Sequence, residues 1–145
     1  MARVKLDLPD SFHFHTEIPV RITDLNYGGH VGNDTVLSII HEARVRFLVS
    51  KGFSELNVSG PGIIMSDVII QFKNELFYGD VIKVSVAVTD FSKVSFDCYY
   101  RLQTFKNEKP VVVATAKTGM LCYDYALKKI AAVPELFKEA CASLT

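Results

Sequence analysis

The residue types best equipped for chemistry gather in one run, Asp24-Leu25-Asn26-Tyr27-Gly28-Gly29-His30-Val31-Gly32-Asn33-Asp34, which brings an imidazole, two amides and two carboxylates close together. Glycine at 28, 29 and 32 opens backbone conformations closed to residues with a Cβ, so main-chain N–H groups can approach a ligand. A helix starting just after such a loop adds unpaired N–H groups and a partial positive charge, which suit an oxyanion or a polarised carbonyl oxygen. In that reading the backbone of Tyr27, Gly28 and Gly29 and the helix start at Asn33 would lie against a ligand, with the side chains of Asn26 and His30 in the same loop. The plain alternative is a strand-to-helix turn with Asn33 or Asp34 as its cap.

Elsewhere the reactive types are scattered. His13 and His15 fall on one side of an extended segment, but no third ligand lies nearby, and no metal site is expected. Glu42 precedes Arg46 by four residues on a helical stretch, the spacing of an ion pair. Asp67 heads a strongly apolar stretch, where partial burial would raise its pKa toward that of a useful base; a solvated strand-end carboxylate is the alternative. Cys98, Cys122 and Cys141 are odd in number and lack zinc-ligand spacing, which points to reduced thiols in a cytosol rather than a disulfide.

Several elements must position these groups. Ile18, Val20 and Ile22 alternate with polar residues over 12–23, the period of a half-buried strand, and Pro19 argues for an edge. From 34 to 50 the period becomes helical: Val36, Ile40, Ala43 and Phe47 form a stripe widened by Leu37, Ile39 and Leu48, with Gly52 as the stop. After a breaker-rich loop, alternation marks strands around Val68-Ile70-Phe72, Ile82–Val88 and Val94–Leu102, then a last one over 111–125. Ala114, Ala116 and Gly119 would let a bulky element pack close to that last strand. Short turns at Tyr78-Gly79-Asp80, 90–93 and 106–109 predict antiparallel neighbours, and Pro134 opens a short helix through Phe137 and Ala140. One antiparallel sheet with one long helix buried on its inner face is the α+β solution for this order.

A chain of 145 residues, 49% of them hydrophobic, fits a single domain over 1–145 that buries a real core. Sixteen basic and sixteen acidic side chains cancel without long blocks of either sign, so neither nucleic acid nor an anionic membrane is an expected partner. The start Met1-Ala2-Arg3-Val4 lacks the long apolar run of a signal segment, and no stretch reaches membrane-spanning length; a cytoplasmic protein is expected.

Asp24, Gly29, His30, Val31 and Asn33, then Glu42-Ala43-Arg44, Phe47-Leu48 and Gly79-Asp80, resemble the hotdog-fold acyl-CoA thioesterases, particularly the branch related to 4-hydroxybenzoyl-CoA thioesterase. That branch carries Asp-x-Asp-x-x-Gly-His-Val-x-Asn into its central helix, and the resemblance spans about residues 17–125. It implies a hotdog fold: a five-stranded antiparallel sheet wrapped around one long central helix, with a short C-terminal helix. It also implies hydrolysis of an acyl thioester of coenzyme A or an acyl carrier protein, without metal or redox cofactor. A homodimer or dimer of dimers with the site between subunits goes with it.

Two positions depart from the pattern. The branch's second Asp, assigned as nucleophile or base, is Asn26 here, and a Tyr often found in the helix is Val36. An amide holds water but does not take its proton at neutral pH, so the base must come from elsewhere: Asp67 or Asp34, with Glu42 as a further candidate. Two other functions fit the same residues. A 3-hydroxyacyl-thioester dehydratase would set His30 against Asp67 or Glu42, and a non-catalytic acyl-thioester binding module would simply have lost its Asp.

Overall fold

A computed structural model describes residues 4–142. Its elements run β1 (Phe14–Pro19), a single 3-10 turn (Ile22–Asp24), α1 (Asn33–Ser50), β2 (Gly62–Phe72), β3 (Val81–Thr89), β4 (Ser95–Lys106), β5 (Lys109–Asp124), β6 (Lys129–Ile130) and α2 (Glu135–Ala142). Residues 1–3 of the stretch read for a signal segment lie outside the described residues. No helix among the described residues is long and apolar enough to cross a membrane.

Five long strands form one antiparallel sheet in the order β1-β3-β4-β5-β2, and two-residue β6 extends it beside β5. This is the α+β arrangement of a sheet around one long helix, with a short helix at the end. Alternation is regular on the central strand β4, while β3 and β5 run through several consecutive buried residues. Ile82, Val84 and Val86 on β3 and Phe96, Cys98, Tyr100 and Leu102 on β4 are at most 1% exposed, with Ala114 and Ala116 of β5 beside them. Against that face lies the stripe of α1, where Val36, Ile39, Ile40, Ala43, Phe47 and Leu48 are buried. Small side chains at 114 and 116 leave room for it. Phe137 of α2 closes one end of the core in an aromatic cluster with Phe53, Phe91 and Phe96. Its full burial contributes about 1.5–3 kcal/mol, and it is Cys141 rather than Ala140 that is buried with it.

Three expectations are corrected. The first strand stops at Pro19, and Ile22, read as its next inward residue, is 68% exposed on the 3-10 turn. Tyr78-Gly79-Asp80 does not join neighbouring strands: β2 pairs with β5, and the chain crosses to β3 on the far side of β4. Asp80 instead fastens the crossover, its carboxylate accepting from Phe77 N–H at 2.9 Å and Lys106 Nζ at 2.8 Å. The other two expected turns do join antiparallel neighbours: 90–93 lies between paired β3 and β4, and 106–109 between β4 and β5, where Asn107 and Glu108 both have positive φ as a primed turn requires. Finally, β2 is an edge strand, and Val68 and Phe72 remain 38% and 48% exposed.

Midway along α1 a polar network crosses the core. Arg44, only 6% exposed, donates through Nε to Glu55 Oε2 at 3.0 Å and through Nη1 to the Tyr100 hydroxyl at 3.2 Å. Tyr100 in turn shares a 2.8 Å hydrogen bond with Thr118 Oγ1, and Glu55 Oε1 meets His41 Nε2. Burial works to raise the Glu55 carboxyl, but the hydrogen bonds from His41 and Arg44, with their charges, outweigh it and hold it below the usual carboxylate range.

Candidate active site

The loop before α1 is held shut by its own backbone. Asp24, 3% exposed, accepts from Arg21 N–H at 2.8 Å and from Arg21 Nη2 at 3.1 Å, and its carbonyl receives Gly32 N–H at 3.3 Å. Asn26 then binds both ends of a tight turn: its N–H donates to His30 O at 2.8 Å and its carbonyl accepts Gly29 N–H at 3.1 Å. Gly29 sits at φ +84°, a left-handed conformation costly for any residue with a Cβ. Its role is therefore the turn itself, and the expectation that its amide is available to a ligand is corrected. The Asn26 side chain is also committed, Oδ1 accepting Gly28 N–H at 2.8 Å.

The helix begins at Asn33 with Gly32 as its N-cap and no side-chain cap, so neither Asn33 nor Asp34 caps it as expected. The first-turn amides of Asn33 and Asp34 consequently have no protein partner among the described residues, as is usual for a helix start. Asp34 lies in that first turn, its carboxylate against Gly32, where it complements the helix dipole. Tyr27 is fully exposed at the tip of the loop.

A pocket of about 260 Å³ opens where this loop meets the sheet, with His30, Asn33 and Val36 on one side and Phe72, Leu76, Val113 and Ala114 on the other. The loop is docked there by Val31 N–H donating to Leu76 O at 2.8 Å. His30, its side chain one-third exposed, has Nδ1 at 3.2 Å from Val31 O. Its Nε2 stands 4.0 Å from Oε1 of Glu75, the one carboxylate-bearing residue among those lining the pocket.

The sequence-derived candidates therefore divide. Asn26 and His30 converge: a Cβ built on Gly28 would lie 3.1 Å from Asn26 Oδ1 and 3.5 Å from His30 Nε2. Asn33 joins them at the pocket, and Asp34 stands next to Asn26 across Gly32. Asp67 does not join them within the chain. Five residues of β2, roughly 16 Å at about 3.3 Å per residue, separate it from Phe72 at the pocket wall. Its environment is also corrected: the side chain is 58% exposed, and a 2.9 Å hydrogen bond from Lys117 holds its pKa below the usual range instead of raising it. Glu42 makes its ion pair with Arg46 at 2.9 Å.

Two charged residues of the pocket, Glu75 and Lys73, carry no signal in the sequence. Glu75 lies in the β2–β3 connection without any periodic signal, and its nearness to His30 depends on the crossover. Lys73, also lining the pocket, belongs to the same short charged run. Among the described residues no three His, Cys, Asp or Glu side chains come together as a metal site, and His15 Nδ1 instead meets Ser85 Oγ at 2.8 Å.

The sequence pattern of the thioesterase-like superfamily matches residues 20–141. An Aquifex aeolicus (strain VF5) protein provisionally named an esterase is 29% identical over 104 residues, 70% of this chain and 80% of its own. A 1,4-dihydroxy-2-naphthoyl-CoA thioesterase from Synechocystis superimposes with a TM-score of 0.79 at 25% identity, covering 90% of this chain and 96% of that one. The 4-hydroxybenzoyl-CoA thioesterase of Pseudomonas sp. strain CBS-3 gives a TM-score of 0.78 at 13% identity over 90% of this chain and all of the other, a likeness of fold.

Proposed function

The chain belongs to the thioesterase-like superfamily with a hotdog fold, and on that premise we propose that it hydrolyses acyl-CoA thioesters in the pocket between the glycine loop and the sheet. The observation that carries this reading is the meeting of His30 and the unpaired first-turn amides of α1 with an apolar slot formed by Val36, Leu76, Val113 and Ala114. A thioester needs both parts. Its carbonyl oxygen gains negative charge as water adds, and main-chain N–H groups at His30 and the helix start stabilise that charge, each such donor contributing about 3–4 kcal/mol in a dry site. Its acyl group needs an apolar seat.

Coenzyme A as the carrier draws support from the relatives, which act on CoA esters of aromatic acids by their names. Asn26, at the position where the resembling branch has Asp, orients water with His30 but supplies no base. Hydrolysis transfers no electrons and so calls for no redox cofactor, and main-chain N–H groups take the polarising role that a metal ion would otherwise have. A second copy of the chain covering the edge of β2, where Met65, Val68 and Phe72 are each more than a third exposed, is the assembly this reading favours.

Release of free thiol from a panel of aromatic, short and long acyl-CoAs tests the proposal, with light scattering reporting the assembly at assay concentration. Turnover of at least one CoA ester is expected. Formation of an enoyl thioester and water, without thiol, from a 3-hydroxyacyl-CoA added to the panel would make the chain a dehydratase, and tight binding without any turnover would make it a binding module.

A further inference from the structure

The loop motif does not point to the carboxylate that the pocket contains. Glu75 comes from the β2–β3 connection, with its side chain 63% exposed and Oε1 4.0 Å from His30 Nε2 across the pocket mouth. We propose that His30 is the general base of the hydrolysis, taking the part of the carboxylate missing at Asn26, and that Glu75 is its positioning residue. This rests on the hydrolytic reading above.

The geometry assigns the two ring nitrogens different work. A main-chain carbonyl only accepts, so the 3.2 Å contact between His30 Nδ1 and Val31 O places the proton on Nδ1. Nε2 of the neutral ring is then the acceptor, and it is the nitrogen that faces Glu75. Asn26 cannot take this part, because its amide oxygen already accepts from Gly28. A separation of 4.0 Å is longer than a direct hydrogen bond and fits one bridging water or a small rotation of an exposed side chain. The charged groups sharing the pocket with the ring are Glu75 and Lys73 from the connection, and Asp34 at the helix start lies beyond them against Gly32.

In the reaction, Nε2 takes a proton from water while the water oxygen bonds to the thioester carbon, and the carbonyl electron pair moves to oxygen. Collapse of this oxyanion breaks the C–S bond, and the imidazolium gives its proton to the departing sulfur. The products are a carboxylic acid and a free thiol, with nothing oxidised or reduced. Glu75 acts while the imidazolium exists: its negative charge stabilises the cation that forms as the ring takes the proton from water. Such an interaction changes kcat and leaves KM nearly untouched.

The test measures kcat and KM for thiol release by wild type, Glu75→Gln, Glu75→Asp, His30→Asn and the double variant His30→Asn/Glu75→Gln, with circular dichroism to confirm folding. Glu75→Gln is expected to lower kcat about 10- to 100-fold with little change in KM, and Glu75→Asp to recover part of the loss. The double variant should be no slower than His30→Asn alone, because Glu75 works through the ring. Three results would overturn the proposal: an unchanged kcat in Glu75→Gln, an effect on KM alone, or a full further loss from Glu75→Gln in the His30→Asn background, which would make Glu75 itself the base. Wild type that releases no thiol overturns the hydrolytic reading and this one with it. Active wild type with an indifferent Glu75→Gln overturns this one only.

Discussion

Midway along α1, the charge of buried Arg44 is met by Glu55, and Tyr100 and Thr118 pass the hydrogen bonding on into the sheet. At the first turn of the same helix the polar groups are left over. The amides of Asn33 and Asp34 have no protein partner among the described residues, and His30 Nε2 looks across a pocket at a carboxylate it does not quite touch. Both clusters place charge and hydrogen-bonding capacity beside an apolar core. In the first, each group is spent on another, which ties α1 to the sheet and to the loop at Glu55. In the second, capacity is held in reserve, which is destabilising unless water or a ligand takes it up. A saturated network reads as structure, and an unsaturated one at a pocket reads as a site.

Opening the saturated cluster should have the largest effect. Arg44→Ala strands Glu55 without its nearly buried cation and leaves the Tyr100 hydroxyl short of a partner. Removing one side of such a pair costs about 3–5 kcal/mol, to be read from chemical denaturation of both proteins. Turnover per folded molecule should stay near the wild-type level. A loss under about 1 kcal/mol, or a folded but inactive variant, would merge the two clusters into one functional unit.

A smaller effect sharpens the same point through pH. Because the folded Glu55 carboxyl lies below its ordinary value of 4.5, its contribution is fully present above that value and is lost as pH falls through the lower folded one. Glu55→Gln should therefore be less stable at neutral pH, by on the order of 1 kcal/mol, and should lose less stability on acidification below pH 4.5. Parallel stability curves for the two proteins over that range would remove Glu55 from the account.

How much of this the sequence displays depends on the range over which each feature is decided. The inward residues of β3 and β4 and the stripe of α1 follow from alternation and helical period, because each lies along one element. Gly52, at φ +84° just after the Lys51 cap, is likewise a local decision. Partner choice is not local: the turn chemistry of Tyr78-Gly79-Asp80 specifies a reversal, but the pairing of β2 with β5 is made by strands some fifty residues apart. The site divides in the same way. Asn26, His30 and Asn33 belong to one loop and come together as their spacing suggests. Glu75 reaches His30 only through the crossover, and Asp67 draws Lys117 from fifty residues away, a partner that no reading of its apolar neighbours reveals. Arg44 is of a residue type seldom buried, and Glu55 and Tyr100 make its burial possible.

The smallest expected effect decides most about the unsaturated cluster. Asn26→Asp keeps the turn, because a carboxylate oxygen accepts Gly28 N–H as well as an amide oxygen does. It also brings a negative charge close to His30, since Asn26 Oδ1 and His30 Nε2 both approach the position a Cβ at Gly28 would occupy. If His30 is the base and Glu75 supplies the one carboxylate it needs, a second carboxylate overstabilises the imidazolium and less neutral ring is present at pH 7. Thiol release at neutral pH should then fall several-fold, by less than about tenfold, and recover toward wild type as pH rises. If the chain is a binding module that has lost its base, the same substitution restores the carboxylate of the resembling branch and should create hydrolysis where wild type has none. An Asn26→Asp variant faster than wild type at pH 7, in protein that is equally folded and binds the same acyl-CoA, would show that the catalytic charge belongs in the loop and that the reserve at His30 and Glu75 serves binding alone.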